Sequence, residues 1–487
     1  TAVGDNYIIA NSAFTRTSNA FTGWNTVSNG GGTPYNVGDV INNISENITL
    51  YAQWVTIPST PPSPSSPPAN TYVGAFWKND QTGERLIRIP IGSTSTNLGA
   101  WSAVVVDGDF IKMDKSSTAD PGVNWNNAAA TPADMNTADA TYQVPGSATS
   151  VSGTVASGDT IYFRIGLTST IADKSAPRYG RILLTYGGTN KKQQFLYIRQ
   201  GEEADYVFRP EDTYIDPNAG TQGISRSLAK KFSPYNLTAP ELPDGSPYYK
   251  DIDVNGGEFV KYPTQAGAFF QWASSVHPRR AYHPTNPLGV PNNWETNYLG
   301  YFWNNLGATH ETCPVNWRRP NDGITNKDQD NVYSTSDYTA NNIYKSEMRQ
   351  SLYAKPKNGT DKITETAGRA LGYYADGYFD RRAIVNGVGD SRLSNSAVSV
   401  STKDVAYIGT LFFNAASGAS LFMPAGGHRS GLGQLYYSGN EGFYYNSSAF
   451  DSTSGGGLVL SKSEVYHISY NRPFGFAVRC VKEDPVQ

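Results

Sequence analysis

The stretch "IPSTPPSPSSPPAN", residues 57–70, limits this chain more than any other. Pro58, Pro61, Pro62, Pro64, Pro67 and Pro68 each lack a backbone N–H and hold φ near one value. Neither a helix nor an interior strand can run through them. The serines between them add no apolar surface, so the segment reads as a semi-rigid polyproline II linker. Whatever precedes it folds apart from whatever follows. A chain of 487 residues is in any case long enough for about three domains.

Residues 1–56 form the first module, where "FTGWNT", "GGTPYNVGD" and "NITLYAQW" read as short strands around a turn at Gly30 to Gly32. Trp24 and Trp54 are its expected core. Residues 71–202 carry the runs "ERLIRIPI", "WSAVVVDG", "DTIYFRIGL", "RYGRILLTYGG" and "QQFLYIRQGE", bounded by Gly, Pro, Asn and Asp. That spacing predicts an antiparallel β-sandwich whose last two strands make a hairpin. Residues 203–487 mix short strands ("TLFFNA", "ASLFMP", "FGFAVRCV") with two expected helices. One lies in "YPTQAGAFFQWASSV", with Ala266, Phe269, Phe270 and Ala273 at helical spacing. The other lies in "YTANNIYKSEMRQSLYAK", where Ile343, Met348 and Leu352 share a face. The fold class is therefore multidomain and β-rich, with an α+β module at the C-terminus.

Asp plus Glu total 42 and Lys plus Arg 39, a net charge of −3, which is no footprint for nucleic acid or an anionic membrane. No apolar run is long enough to span a bilayer. Charged residues make up only 17% while Gly and Tyr reach 48 and 32, a balance that suits β-rich extracellular proteins. Cys313 and Cys480 are too few for the common all-cysteine metal sites. They pair if the protein is exported and stay free if it is cytosolic. No signal peptide is visible, and a chain opening on Thr1-Ala2-Val3 is expected to come from a longer precursor.

The segment "GGHRSGLGQLYYSGNEGFYYNSS", from Gly426 to Ser448, sets Tyr436, Tyr437, Phe443, Tyr444 and Tyr445 among glycines, serines and asparagines. Its glycines rule out a helix. The composition is that of a recognition surface, with rigid Tyr area and adaptable polar contacts. Packing within a loop-rich domain is the alternative, and about half of the tyrosines are expected to be buried.

Three resemblances organise these readings. "FTGWNT", "GGTPYNVGD" and "NITLYAQW", with Trp24, Gly38, Asp39, Tyr51 and Trp54 in order, resemble the Listeria–Bacteroides repeat, a small β-grasp-like stalk module. "RILLTYGGTNKKQQFLYIRQ" is similar to the closing hairpin of a BACON-type Ig-like domain, which implies a spacer. "CPVNWRRPND", "LFMPAGGHR", "GFYYNSS" and "NRPFGFAVRCV" together resemble the Fibrobacter succinogenes major paralogous domain, over roughly residues 250–483. That resemblance implies a C-type-lectin-like fold of the formylglycine-generating-enzyme kind, on a secreted or bacterial cell-surface protein. It also implies that Cys313 and Cys480 pair.

One subset of that family, the variable proteins of diversity-generating retroelements, diversifies its C-terminal segment as a ligand face. Carried onto this chain, the resemblance makes Ser430, Leu432, Gln434, Tyr436, Tyr437, Glu441, Tyr445, Asn446, Tyr466, His467 and Tyr470 the expected ligand-binding residues. It implies an adhesin at the cell surface or a pilus tip. The partner is a protein or glycan on another cell or phage surface, and no cofactor is required.

Catalysis finds little support in the residues. The family's sulfatase-activating members use two nearby cysteines, and pairing leaves none spare. No His-x-x-x-His-x-Glu helix of the sulfoxide synthases is present. His277, His283, His310, His428 and His467 are scattered, and His310 beside Glu311 reads as a hydrogen-bonded corner. "GDS" at Gly389 to Ser391 lacks a hydrolase-elbow setting. Asp376 and Asp380 have Arg381 and Arg382 beside them, which suits a salt-bridged cluster. Asp322, Asn326, Asp328 and Asp330 offer oxygen ligands that would suit a structural calcium ion, without EF-hand spacing. The Glu-Pro-Asn and Gln-Pro-Asp signatures of calcium-dependent lectins are absent. An enzyme with altered chemistry and a non-binding structural protein stay as alternatives to the adhesin.

Overall fold

The computed structural model describes residues 5–10, 12–37, 39–58, 72–77, 85–90, 98–114, 148–155, 160–188, 191–215, 223–242, 248–261, 263–274, 276–284, 289–296, 309–322, 346–352, 369–374, 384–386, 396–398, 408–414, 416–438, 441–449, 453–461 and 465–483. Most of the proline linker lies outside them. So do Ile343, the "GDS" motif, Asp376, Asp380, Arg381, Arg382, Asn326, Asp328 and Asp330. The protein is β-rich with multiple sheets, and its described residues contain one short α-helix, Glu347–Leu352. Its described residues divide into two compact units, one within Thr1–Gly201 and one within Glu202–Gln487, with 416–418 grouping with the first.

In the first unit, strands Asn19–Asn25, Pro34–Tyr35 and Tyr51–Thr56 make a small antiparallel sheet. Five strands follow in the order Ser150–Val155, Gly99–Asp107, Arg178–Tyr186, Lys192–Gln200 and Tyr72–Trp77. All their pairings are antiparallel except the last. A second sheet orders Arg85–Pro90, Thr160–Leu167 and Ile111–Asp114. Alternation decides which side chains share a core: Ile161, Phe163 and Ile165 join Ile182, Leu184, Ile198 and Trp77, while Leu183 and Tyr197 are buried on the other face. Gly187 and Gly188 both take positive φ in the turn of the Arg178–Tyr186/Lys192–Gln200 hairpin, a conformation glycine adopts without a Cβ clash.

Trp24 and Trp54 depart from their expected core role. Both are half-buried and line a cleft of about 920 Å³ with Tyr35, Asn36, Gln53 and Trp101. Two-residue pairing at Pro34–Tyr35 gives the small sheet too little second face to enclose them. The two rings pack on Phe21 instead, at 5.4 and 5.6 Å.

The second unit is built on a six-stranded sheet in the order Tyr249–Asp251, Arg280–Tyr282, Phe269–Gln271, Gly475–Phe476, His428–Arg429 and Leu435–Tyr436. A three-stranded antiparallel sheet combines Gly442–Ala449, Ser454–Leu460 and Val465–Asn471. The expected helix around Phe269 and Phe270 is a strand. Phe269 points into one core with Leu458 and Ala477, Phe270 into another with Leu237, Cys313 and Cys480. A helix would place the two rings on one side. Gly267 (φ +75°) and Ala273 (φ +49°) bracket the segment with left-handed turns that end a helix at once. The second expected helix is present over Glu347–Leu352, with Ser346 Oγ accepting from Arg349 N at 3.0 Å as an N-cap. Met348 and Leu352 are fully buried there.

Cys313 and Cys480 form a disulfide across 167 residues, beside the antiparallel pairing of Trp317–Arg318 with Val481–Lys482. Gly455 lies flat against Trp272, where a Cβ would stand 2.4 Å from the indole Cγ. Its strand is held on both sides by Ala449 and Tyr470, so it cannot retreat. Gly455→Ala is expected to cost about 1–3 kcal/mol in urea unfolding. Gly289→Ala, with nothing within 4 Å of the new methyl, serves as the control. An unchanged midpoint for Gly455→Ala would sink this packing assignment.

Candidate ligand-binding face

The site starts from a hairpin. His428–Arg429 pairs with Leu435–Tyr436, and Ser430 N donates to Gln434 O at 2.8 Å to close the turn. Gly433 takes φ +81° in that turn, and Trp294 leaves no room for a side chain there. Arg429 is fully buried and anchors the hairpin by donating to the carbonyls of Gly289, Gly433 and His283. Burial lowers its pKa to about 9. The turn therefore presents Ser430, Leu432 and Gln434 from a fixed base, and Leu432 is 64% exposed.

Next to the hairpin, strand alternation sorts the tyrosines. In Gly442–Ala449, Phe443 and Tyr445 face one way, against Trp272, Val459 and Phe476. Tyr444 faces the other, where its hydroxyl donates to Pro424 O at 2.7 Å. On Val465–Asn471, one strand further across the sheet, Tyr466, Ile468 and Tyr470 fall on the Phe443 side and His467 on the opposite side. Val465–Asn471 is an edge strand of this sheet. Its aromatic side chains remain half-buried, together with Tyr437 and Phe474, above a closed floor.

His428 is the hub of this arrangement. Its ring stacks on Tyr436 at 5.6 Å and lies 5.7 Å from Tyr437, 5.7 Å from Phe474, 6.2 Å from Tyr470 and 4.1 Å from Phe443. Desolvation lowers its pKa to about 3, so the imidazole is neutral, and its Nδ1 is buried without a hydrogen-bond partner. The Tyr470 phenol is held well above its ordinary range, first by burial and then by neighbouring Tyr466, Glu441 and Tyr437. Glu441 is placed by its own backbone: its N–H donates to Tyr437 O at 3.0 Å and its carbonyl accepts from Gly427 N at 2.7 Å. Tyr437 sits at φ +56°, a left-handed conformation that costs a bulky residue about 1–2 kcal/mol. The fold holds that strain at the centre of the face.

Eight of the expected ligand residues thus gather on one side of the second unit: Ser430, Leu432 and Gln434 on the hairpin, with Tyr436, Tyr437, Glu441, Tyr466 and Tyr470 beside it. The other three are interior. Tyr445 is fully buried, stacked on Phe476 at 4.2 Å, with its hydroxyl donating to Phe474 O. Asn446 is fully buried; its side-chain oxygen accepts from Ser448 N and its carbonyl takes the Trp272 indole N–H. His467 is buried with Nδ1 2.9 Å from Asp322 Oδ2. All three are there by strand parity or by a polar partner distant in sequence. Sequence reasoning missed His428 and Phe474, which lie in the motifs "LFMPAGGHR" and "NRPFGFAVRCV". Their flanking glycines, Gly427 and Gly475, gave the only local sign of close packing.

Asp322, offered as a calcium ligand, is committed elsewhere. It accepts from Ser346 Oγ at 2.5 Å and from Arg349 at 2.7 and 2.9 Å, fully buried. Ser346 and His467 bind opposite oxygens of this carboxylate, so the imidazole does not lie between hydroxyl and acid as a nucleophilic relay requires. His310 is buried and neutral, its pKa lowered to about 4 by desolvation and then by Arg319. Glu311 accepts from the N–H groups of Thr312, Cys313 and Arg319, a structural corner.

No protein-family model matches this chain, and no curated protein matches it. Among solved structures it is similar to mouse clustered PcdhgC3 EC1-3, at 10% identity over 49% of this chain and 77% of that one, with a TM-score of 0.16. That score is too low to carry fold or function across.

Proposed function

We propose that this chain is part of a bacterial cell-surface or pilus-tip adhesin whose C-terminal module binds a ligand through the face around His428. In this reading a Listeria–Bacteroides-type repeat and a BACON-like Ig sandwich form the stalk, and residues 203–487 form a C-type-lectin-like head. The carrying observation is the set of half-exposed rings, Tyr436, Tyr437, Tyr466, Tyr470 and Phe474, seated on a rigid aromatic floor. Rigid, amphipathic rings lose little entropy on contact and dominate recognition energetics. Exposed Leu432 and half-buried Ser430 and Gln434 on the hairpin extend the same surface. Diversification by a retroelement would act on these positions and leave Tyr445, Asn446 and His467 unchanged, since altering them would break the core.

The test is binding of the labelled protein to arrays of glycans and to bacterial and host cells. Tyr470→Ala and Leu432→Ala are expected to lower affinity for whatever is bound, by about 30-fold for the tyrosine as a central hot spot. Trp54→Ala, in the first unit, should leave it unchanged. Binding that survives Tyr470→Ala and Tyr437→Gly together sinks the assignment of this face.

A further inference from the structure

We infer that the first unit holds a binding site of its own, a cleft between its small sheet and its sandwich that takes a neutral oligosaccharide. This does not depend on the face around His428. The small sheet and the sandwich fall in one compact unit. Ser152 Oγ of the sandwich donates to Asn36 Oδ1 of the small module at 3.1 Å. Both residues line the cleft, which measures about 920 Å³. Small-molecule sites usually span about 300–1,000 Å³, so this one has room for several sugar rings.

Strand register sets one wall. Ser152 stands directly opposite Ser102, and Ser102 directly opposite Thr185, on three adjacent strands. Opposed residues share a face of the sheet. The three hydroxyls therefore form a row, with one strand spacing of about 4.8 Å between neighbours. All three line the cleft. Ser102 and Thr185 lie on strands paired on both sides, which spends their backbone groups and leaves only side-chain hydroxyls for a ligand. An extended peptide, which docks by adding a strand to an open edge, would find no ladder along this row. A polyol would find a partner at each step.

The small sheet supplies the other wall through half-buried Trp24, Tyr35 and Trp54. Among the described residues, Ser102 Oγ, Asn36 Nδ2 and the Trp54 indole N–H have no hydrogen-bond partner. Hydroxyl, amide and indole groups of this kind match sugar hydroxyls, and aromatic carbon matches sugar C–H. Among the described lining residues only Asp39 and Lys191 carry charge, and the two are exposed and of opposite sign. The Asp39 carboxylate already accepts from Asn36 N at 2.7 Å. Nothing in this lining selects an ionic ligand.

The probe is a panel of neutral tetrasaccharides of glucose, mannose, galactose, xylose and N-acetylglucosamine, titrated calorimetrically into the whole chain. At least one member is expected to bind. Ser102→Val and Thr185→Val each put a good strand former in place of a hydroxyl, so the urea midpoint should hold. Each is expected to weaken the bound sugar about fivefold, the worth of one hydrogen bond. Trp54→Phe, which keeps a ring and drops the indole N–H, makes the same test from the opposite wall. Tyr470→Ala, in the second unit, should leave this sugar unaffected. No binding by any member overturns the inference, as does binding that all three cleft variants leave intact. A preference for polygalacturonate over every neutral member overturns the ligand class. In the Ser102→Val/Thr185→Val double variant, the array and cell assays read the second unit alone. Ligand lost there on Tyr470→Ala keeps the face around His428 whether or not the cleft survives its own test.

Discussion

Replacing Cys313 and Cys480 together by alanine is expected to destabilise the second unit by about 5 kcal/mol, given the 167-residue separation and the chain-entropy relation. The two sulfurs sit among Leu237, Ala268, Phe270 and Val478, so alanine avoids burying a new hydroxyl while releasing the constraint. The effect falls on the unfolded ensemble, in which the open chain regains the freedom that the bridge removed. Unfolding of the second unit in urea should move to a much lower midpoint, and reduction of the native protein should reproduce the shift. The first unit, with its own core around Trp77 and Phe163 and no cysteine, should unfold as before. A double variant whose two transitions both stay in place would refute the structural weight given to the bridge.

Asp322→Asn is expected to cost about 3–5 kcal/mol, because it leaves the buried Arg349 guanidinium without its carboxylate. Burial pushes this carboxyl up, but Arg349 and then His467 overcome that and hold it well below the ordinary carboxylate range. Its folded pKa is therefore below its unfolded value of about 3.9. The stabilisation it supplies is fully present above about pH 5 and is lost as pH falls toward the folded value. His310 and His428, at about 4 and about 3, are neutral in the fold and take up protons on unfolding, so stability also falls below about pH 6.5. Glu311, raised by burial, works in the opposite direction. These three are common to both proteins, so they cancel in the stability difference between wild type and Asp322→Asn, which reports the carboxylate with its Arg349 and His467 partners. Below about pH 5 that difference should shrink toward pH 2. A flat difference across the whole range would mean that the ion pair is not the cause.

How much was legible beforehand differs by element. The strands of the first unit were readable because "IYFRI" and "RILLTY" are short runs of aliphatic and aromatic residues between turn formers. The Gly187-Gly188 turn marks its hairpin. The Phe269 segment was misread because four apolar residues at positions 266, 269, 270 and 273 fit a helical stripe and a two-sided strand equally well. Only the existence of a core on each side of the sheet separates the two. In the aromatic face, the resemblance named the hairpin residues and the half-exposed tyrosines together, and they lie on one side of the second unit. Tyr445, Asn446 and His467 do not, since strand parity and partners more than 100 residues away for Asn446 and His467 put them inside.

The sequence alone determined the β-rich class, through short β-branched and aromatic runs between glycine turns, whereas residues on both sides of the proline segment fall in one compact unit. The class is a local consequence of backbone chemistry. Tertiary structure alone decided which tyrosines reach solvent, that His428 lies neutral at their centre, and that Asp322 belongs to Arg349. A side chain's burial and charge depend on what packs against it from distant parts of the chain, and a one-residue step along a strand reverses the face it serves.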